Sequence, residues 1–176
     1  MTEAAADLVR DLIRDVPDFP KPGIIFKDLT PVFEHGDALK QLVGAFAARY
    51  ADRGIDTVVG IESRGFLLSV PLALALGCGT VLVRKPGKLP RPTRARRYAL
   101  EYGEDELHVH EDALRPGQRV VVVDDLLATG GTLRAACDLV EQAGATVEET
   151  ACIIELGFLN GRQRVAPAGC WSLVRY

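Results

Sequence analysis

Two adjacent carboxylates followed by a glycine-rich stretch are the strongest chemical signal in this 176-residue sequence. A run of four valines at positions 120–123 is typical of a strand buried on both faces, and Asp124 and Asp125 come directly after it. Neighbouring carboxylates are unfavourable when they are buried without partners. Because ribose O2 and O3 are hydroxyl donors, the pair predicts a site for a sugar diol.

The five residues that follow Leu127 are small and include two glycines. Such a stretch can wrap its backbone N–H groups and hydroxyls around a phosphate at the start of a helix, where the helix dipole also favours an anion. The sequence is neither a Walker loop nor a G-x-G-x-x-G loop. An alternative is a tight strand-to-helix turn with acids that cap a helix, but a simple turn does not need paired acids. The predicted phosphate-binding residues are Ala128, Thr129, Gly130, Gly131 and Thr132.

The elements that must position these residues follow from the hydrophobic pattern. Strand, loop, helix and strand recur with short connections, which is typical of a parallel sheet covered by helices on both faces. Three prolines break the first helix and impose an extended arm, and Asp37 is a good N-cap for the second helix. We predict helices at 4–16, from 37 to about 50, after 65 and at 133–142, and strands at 57–61, 80–83, 120–123 and 146–154.

Composition indicates one folded domain over residues 1–176, with 48% hydrophobic and 26% charged residues. The net charge of −3 gives no reason to expect a nucleic-acid or membrane partner. Residues 65–83 are uncharged and long enough to span a bilayer, but Pro71, Gly77 and Gly79 favour a helix, a turn and a buried strand. Acids among the first apolar residues argue against a signal peptide.

The cysteines and histidines show no metal-ligand spacing. No C-x-x-C pair occurs, so we expect the four cysteines to be reduced thiols in a cytoplasmic protein: Cys78, Cys137, Cys152 and Cys170. His35, His108 and His110 are predicted to be surface residues.

Residues 120–132 resemble the phosphoribosyl-diphosphate loop of the type I phosphoribosyltransferases. Further stretches, in the same order as in the adenine phosphoribosyltransferases, extend the resemblance over about residues 11–176: FP at 19–20, PGIIFKD at 22–28, ESRGF at 62–66, RKPGKLP at 84–90 and LEYG at 100–103. The resemblance implies a central, mostly parallel sheet with helices on both faces, a small hood and a flexible lid loop. It also implies a homodimeric, Mg²⁺-dependent enzyme of purine salvage, which makes AMP and pyrophosphate from adenine and phosphoribosyl diphosphate.

Residue roles are carried over from the same resemblance. Asp124 and Asp125 would hold the ribose hydroxyls, and residues 128–132 the 5′-phosphate, while Mg²⁺ would be bound by substrate oxygens and waters and not by a protein cage. Arg64, just past the end of the strand at 57–61, would bind the pyrophosphate. Arg84, Lys85 and Lys88 would also meet it, partly from a neighbouring subunit. Glu101 would act as a general base. Adenine would stack between Phe26 and Leu156, with its edge read by backbone groups of Ile25 and Lys27.

The segment 91–106 is predicted to be a mobile lid that excludes water, with Arg91, Arg94, Arg96 and Arg97 as solvated cations. Three alternatives stay open at this point. The base could be hypoxanthine, xanthine or orotate, because backbone readers leave no mark in the sequence. The chain could be a non-catalytic regulator that senses phosphoribosyl diphosphate, although it lacks a basic nucleic-acid-binding extension. It could also be a small nucleotide-binding module without catalysis, which would leave Glu101 and the basic loop without a purpose.

Overall fold

The computed structural model describes residues 2–99 and 104–176. A 3₁₀ turn at Gly157–Leu159 lies between the last helix of the chain and the strand that precedes it. In chain order the helices and strands are α1 (Thr2–Leu12), β1 (Arg14–Pro17), β2 (Ile25–Asp28), α2 (Thr30–Glu34), α3 (Gly36–Tyr50), β3 (Thr57–Ile61), α4 (Gly65–Leu76), β4 (Gly79–Val83), β5 (Thr93–Ala99), β6 (Glu104–His110), β7 (Arg119–Leu127), α5 (Gly131–Gln142), β8 (Thr146–Glu155), α6 (Gly161–Val165) and β9 (Cys170–Arg175).

The central sheet has five parallel strands in the order β4, β3, β7, β8, β9. Side chains of the central strand β7 alternate between two cores, as the pleat of a strand requires. Val121 and Val123 pack in the core that contains α1, α3 and α4, whereas Val120 and Val122 pack in the core that contains α5. The predicted α/β class, with helices on both faces of a parallel sheet, is confirmed.

Two antiparallel hairpins stand beside the sheet. The first pairs β1 with β2 near the N-terminus. The second pairs β5 with β6 and places Tyr98 opposite Asp105. Backbone hydrogen bonds of 2.8 and 2.7 Å between Arg84 and His108 tie this second hairpin to the segment that follows β4. The mobility predicted for the segment 91–106 stays a prediction.

The N-terminal third differs from the predicted elements in two places. The first helix ends at Leu12 and not at residue 16, because residues 14–17 pair with β2 and Val16 lies opposite Phe26. The N-cap of α3 is His35, whose Nδ1 accepts a 3.2 Å hydrogen bond from the Ala38 N–H, so Asp37 lies inside the helix and is not its cap. The short helix α2, which begins with a proline in its first turn, was not predicted.

In the second half of the chain the predicted strands at 120–123 and 146–154 and the helix at 133–142 are present, whereas α6 and β9 were not predicted, and one correction concerns the site. Strand β7 continues through Asp124 and Asp125 to Leu127, because Leu127 still pairs with Glu155 of β8. The two acids therefore belong to the strand and do not follow it. All four cysteines are free, as predicted. Within the described ranges, no helix is both long and apolar enough to cross a bilayer.

Candidate active site

The glycine-rich stretch forms a small pocket of about 140 Å³ at the carboxyl edge of the sheet. Gly130 has a φ of +81° and lies immediately before α5, so the chain turns there in a conformation that favours glycine. A side-chain carbon on Gly130 would also overlap the carbonyl oxygen of Gly161. The residues predicted for a phosphate are brought together around this pocket: Ala128, Thr129, Gly130, Gly131 and Thr132, with Leu126, Leu127 and Leu133.

The two aspartates beside this pocket are buried, with 8% of Asp124 and 7% of Asp125 exposed. Asp124 Oδ1 accepts a 2.9 Å hydrogen bond from the Asp125 N–H, and Arg64 Nε forms an ion pair with Asp125. Burial, and then the negative charge of Asp125, raise the pKa of Asp124 well above its ordinary value. The pair therefore carries an electrostatic cost that hydroxyl donors or a cation would relieve.

The approach of Arg64 to the aspartates depends on the glycine that follows it. A Cβ on Gly65 would lie 2.9 Å from the Val123 carbonyl oxygen and 3.2 Å from Asp124 Oδ1, so only glycine lets the start of α4 lie this close to β7. The peptide bond between Glu62 and Ser63 is cis. Arg64 was predicted from its position past a strand end, and the structure places it at the carboxylate pair.

The residues predicted to hold the base lie on both sides of β2. Alternation along the strand puts Ile25 and Lys27 on one side and Phe26 on the other. The Phe26 ring faces the guanidinium of Arg64, 5.7 Å from its centroid, and meets the Phe19 ring at 5.1 Å in an edge-to-face arrangement. Arg64 therefore contacts both Phe26 and Asp125.

A cavity of about 470 Å³ lies beside β2. Its lining includes three of the predicted base-binding residues, Ile25, Lys27 and Leu156. Phe158, Leu159 and Tyr176 also line it, and sequence reasoning missed them. The apolar residues that follow the strand end at 155 were a signal for the first two, but nothing in the sequence pointed to Tyr176, whose ring centroid lies 4.1 Å from the Lys27 ammonium.

Three of the cations predicted for a pyrophosphate, Arg84, Lys85 and Lys88, lie in the segment after β4. The carboxylate of Glu62 holds this segment in place. Glu62 accepts hydrogen bonds from the Lys85 N–H at 2.8 Å and from the Arg84 guanidinium at 3.2 and 3.3 Å. Partial burial works to raise the pKa of Glu62, but these hydrogen bonds outweigh burial and the pKa is lowered. Lys85 forms an ion pair with Asp105, and the Lys88 carbonyl accepts from Arg84 at 3.2 Å. Sequence reasoning assigned no role to Glu62 or Asp105.

The four arginines of the basic segment 91–97 were predicted to be solvated, and Arg91, Arg96 and Arg97 are exposed as predicted. Although largely exposed, each has a partner: Arg91 pairs with Asp112, Arg96 with Asp138 and Arg97 with Glu106. Arg94 donates to the carbonyl of Gln142 at the end of α5. The hairpin is thus fastened to the helix that starts at the phosphate pocket. Glu101, the predicted general base, lies outside the described residues.

The chain resembles known proteins over most of its length. Residues 32–173 match the family model described as phosphoribosyl transferase domain. An adenine phosphoribosyltransferase of Roseiflexus castenholzii is 61% identical over 166 residues, which cover 94% of this chain and 96% of the relative. The chain belongs to the adenine phosphoribosyltransferase family.

Two solved structures of this family match the chain closely. The enzyme from Thermoanaerobacter pseudethanolicus superposes with a TM-score of 0.94 and 46% identity, over 97% of this chain and 99% of that chain. The enzyme from Saccharomyces cerevisiae, solved with adenine and an imino-altritol bisphosphate, gives a TM-score of 0.92 and 40% identity, over 97% and 98% of the two chains. The resemblance inferred from the sequence motifs is therefore confirmed.

Proposed function

We propose that this protein transfers the 5-phosphoribosyl group of phosphoribosyl diphosphate to adenine, giving AMP and pyrophosphate in purine salvage. The observation that carries the proposal is the phosphate-sized pocket of residues 128–132 directly beside the buried Asp124–Asp125 pair. That pocket offers backbone N–H groups and hydroxyls at the start of α5. In this proposal the aspartates would accept hydrogen bonds from the hydroxyls of the ribose that carries the bound phosphate. In this proposal, residues 1–176 act as one catalytic domain.

The proposed reaction is a displacement at the anomeric carbon, in which a nitrogen of the base forms a bond as the bond to pyrophosphate breaks. Positive charge develops on the ribose ring and negative charge on the leaving group. Arg64 and the segment with Arg84, Lys85 and Lys88 would offset the negative charge. Asp125, beside Arg64, would hold the ribose hydroxyls and favour the developing cation.

The base would stack on the Phe26 ring, on the side of β2 that faces Arg64 and the aspartates. Because β2 pairs only with β1 among the described strands, its other edge has unpaired N–H and C=O groups that can read the edge of a planar base. Ile25 and Lys27 supply those groups in this proposal, and Leu156 would cover the second face. Glu101 would accept the proton that adenine loses.

A magnesium ion fits the donor set at this site. Mg²⁺ prefers oxygen ligands and keeps several waters, and the two carboxylates carry like charge that a cation offsets. We propose that Asp124 and Asp125 hold the ion indirectly, through ribose oxygens and waters, and that it helps to neutralise the pyrophosphate.

We further propose a homodimer, formed through the exposed apolar face of α4 and the edge strand β4. Leu74 is 77% exposed, Leu67 50%, Val70 44% and Leu82 38%. Apolar side chains this exposed on adjacent elements mark an interaction surface. A second copy of the chain would cover them, and static light scattering should give twice the chain mass, whereas Leu74→Glu should give the mass of one chain. The four free thiols fit a reducing compartment, so the proposal places the protein in the cytoplasm.

Incubation with isotope-labelled adenine, phosphoribosyl diphosphate and Mg²⁺ tests the proposed reaction, with labelled hypoxanthine, xanthine and orotate as parallel substrates. Labelled AMP should form from adenine far faster than the corresponding nucleotide forms from any other base. Faster turnover of another base would correct the substrate. A protein that binds phosphoribosyl diphosphate but converts none of the four bases would contradict catalysis altogether.

A further inference from the structure

Tyr98 is buried between the β5–β6 hairpin and the phosphate pocket, and the proposed mechanism gives it no role. Only 8% of the residue is exposed, and its ring belongs to the core that contains Leu107 and Leu127. A Cβ on Gly131 would lie 3.3 Å from ring atom Cδ2 of Tyr98, so the ring rests against the first residue of α5. This packing fixes the position of the hydroxyl beside the phosphate pocket.

The Tyr98 hydroxyl joins groups from three separate segments. Thr132 Oγ1 donates to it at 3.4 Å and Lys85 Nζ donates to it at 3.2 Å. The hydroxyl itself donates to Asp105 Oδ2 at 3.0 Å, and Lys85 forms an ion pair with the same carboxylate. One hydroxyl therefore links a residue proposed for the 5′-phosphate to a residue proposed for the pyrophosphate.

The ion pair in this cluster stays charged. Partial burial works against the charged form of Lys85, but hydrogen bonds to Asp105 and Tyr98 outweigh it and raise the pKa of the ammonium. Burial likewise disfavours the charged form of Asp105, but Lys85 and the Glu106 N–H outweigh it and lower the pKa of that carboxyl. The ammonium is thereby held close to Thr132 and is not free to extend into solvent.

Strand β5, which carries Tyr98, ends at Ala99, two residues before the predicted general base Glu101. Ala99 follows Tyr98, and its carbonyl accepts a 3.1 Å hydrogen bond from Arg164 beside the phosphate pocket. Asp105 lies directly across the hairpin from Tyr98. A displacement of Thr132 when a phosphate binds would therefore be transmitted through the Tyr98 hydroxyl to Lys85 and to both strands of the hairpin.

We propose that Tyr98 is a positioning residue that couples the 5′-phosphate pocket to the Lys85–Asp105 ion pair, so that each of the two phosphate groups of the substrate strengthens binding of the other. The inference rests on the proposed function, because it uses the proposed sites for the 5′-phosphate and the pyrophosphate. Coupling of this kind is reciprocal, so it can be measured from either ligand.

The test is the calorimetric dissociation constant of ribose 5-phosphate, measured in Mg²⁺ with and without saturating pyrophosphate. In the wild-type protein, pyrophosphate should tighten binding of ribose 5-phosphate by roughly fivefold or more. Tyr98→Phe keeps the ring against Gly131 and removes the hydroxyl, and it should bring this factor close to one. Asp105→Asn, which removes the charge that holds Lys85, should reduce the factor in the same way.

Tyr50→Phe is the matched control, because the Tyr50 hydroxyl also donates to a carboxylate that pairs with a cation. It bonds Glu149 at 2.8 Å, and Glu149 pairs with Arg49, far from the phosphate pocket. This variant should lose stability but keep the wild-type coupling factor. A coupling factor unchanged by Tyr98→Phe, or absent from the wild type, would overturn the inference. AMP formation by the wild type reports separately on the proposed function.

Discussion

The neighbouring strands β7 and β8 both end in buried acids, and these acids differ in the number of partners that their carboxylates have. Glu155, at the end of β8, is 2% exposed and is bonded by Arg162 at 2.7 Å and by Ser172 at 2.8 Å, with Arg175 at 3.5 Å. Asp124 and Asp125 lie beside each other on β7. Within the described part of the chain, their ion pair is the one between Arg64 and Asp125. Arg162 lowers the pKa of Glu155, whereas burial and Asp125 raise that of Asp124.

The difference separates a structural acid from a binding acid. A buried carboxylate with a full set of donors stabilises the fold around it, and a buried pair without enough donors needs a ligand. The two regions are connected through α6. Arg162 of that helix holds Glu155, and the preceding Gly161 lies against the Ala128 carbonyl of the phosphate pocket. The satisfied acid therefore supports the loop beside the unsatisfied ones.

Among the variants that test this comparison, Asp125→Asn should have the largest effect on activity, because it removes one of the binding acids. The amide keeps the size of the side chain but loses the charge that accepts from ribose hydroxyls and favours the developing cation. Hydrogen bonds to charged groups contribute about 1.5–3 kcal/mol, so kcat/KM for phosphoribosyl diphosphate should fall by roughly a hundredfold. The thermal midpoint should change little, because the like-charge contact with Asp124 and the ion pair with Arg64 are lost together. A hundredfold loss accompanied by a lower midpoint would assign Asp125 a structural role instead.

Gly161→Ala should disturb the contact between the two regions. The added methyl group would overlap the Ala128 carbonyl oxygen and crowd Leu127, so the loop must shift. Small misplacements of binding groups are costly, and we expect the KM for phosphoribosyl diphosphate to rise by roughly tenfold or more. Gly44→Ala in α3 is the control, because no atom lies within 4 Å of the added carbon, and it should leave steady-state kinetics unchanged. Equal kinetics for both variants would contradict the proposed contact.

The binding acids and the phosphate pocket were predicted from the sequence, whereas the partners of the structural acid Glu155 were missed. The reasons are physical. Asp124, Asp125 and residues 128–132 are contiguous, so their pattern survives in the sequence. Glu155, Arg162 and Ser172 come together only through α6 and β9, which were not predicted because short elements with weak periodicity give little signal. The extension of β7 through the aspartates was missed because pairing with β8, and not strand propensity, carries it to Leu127.

The candidate site shows the same division. Arg64 was predicted because it directly follows a strand, whereas Tyr98 and Asp105 reach the phosphate pocket only through the pairing of the β5–β6 hairpin. The cations of that hairpin were predicted to be solvated since their partners on α5, such as Asp138, lie far away in the sequence. Local patterns could be read from the sequence, and cross-element partners could not.

Glu155→Gln tests the structural side. The amide leaves Arg162 without a charged partner, and we expect a loss of about 2 kcal/mol in the free energy of unfolding, or roughly 4–8 °C in the thermal midpoint. Glu148→Gln on the same strand is the control, because Glu148 pairs with a half-exposed Arg119 and should contribute less than about 1 kcal/mol. Calorimetry checks both variants, and equal losses would remove the distinction between the two acids.

Asp124→Asn tests the comparison through the pH dependence of the free energy of unfolding, and its expected effect is the smallest of the four. The pKa of Asp124 in the folded state is raised above its ordinary value of 3.8, so the folded chain keeps a proton that the unfolded chain releases. Wild-type stability from this group is therefore present below that ordinary value and is lost as the pH rises towards the folded-state pKa. Glu155 has the opposite sign, because its lowered pKa contributes stability above the ordinary value of 4.5 that is lost as the pH falls.

Urea titrations of the unliganded protein at several pH values measure the Asp124 effect. Relative to the wild type, Asp124→Asn should gain roughly 1 kcal/mol in the free energy of unfolding as the pH rises from about 4 to neutrality. Glu155→Gln should show the opposite change, a relative loss over the same pH range, because the pKa of Glu155 is lowered in the folded chain. A flat difference between wild type and Asp124→Asn would mean that Asp124 is already satisfied without a ligand, and the contrast with Glu155 would then disappear.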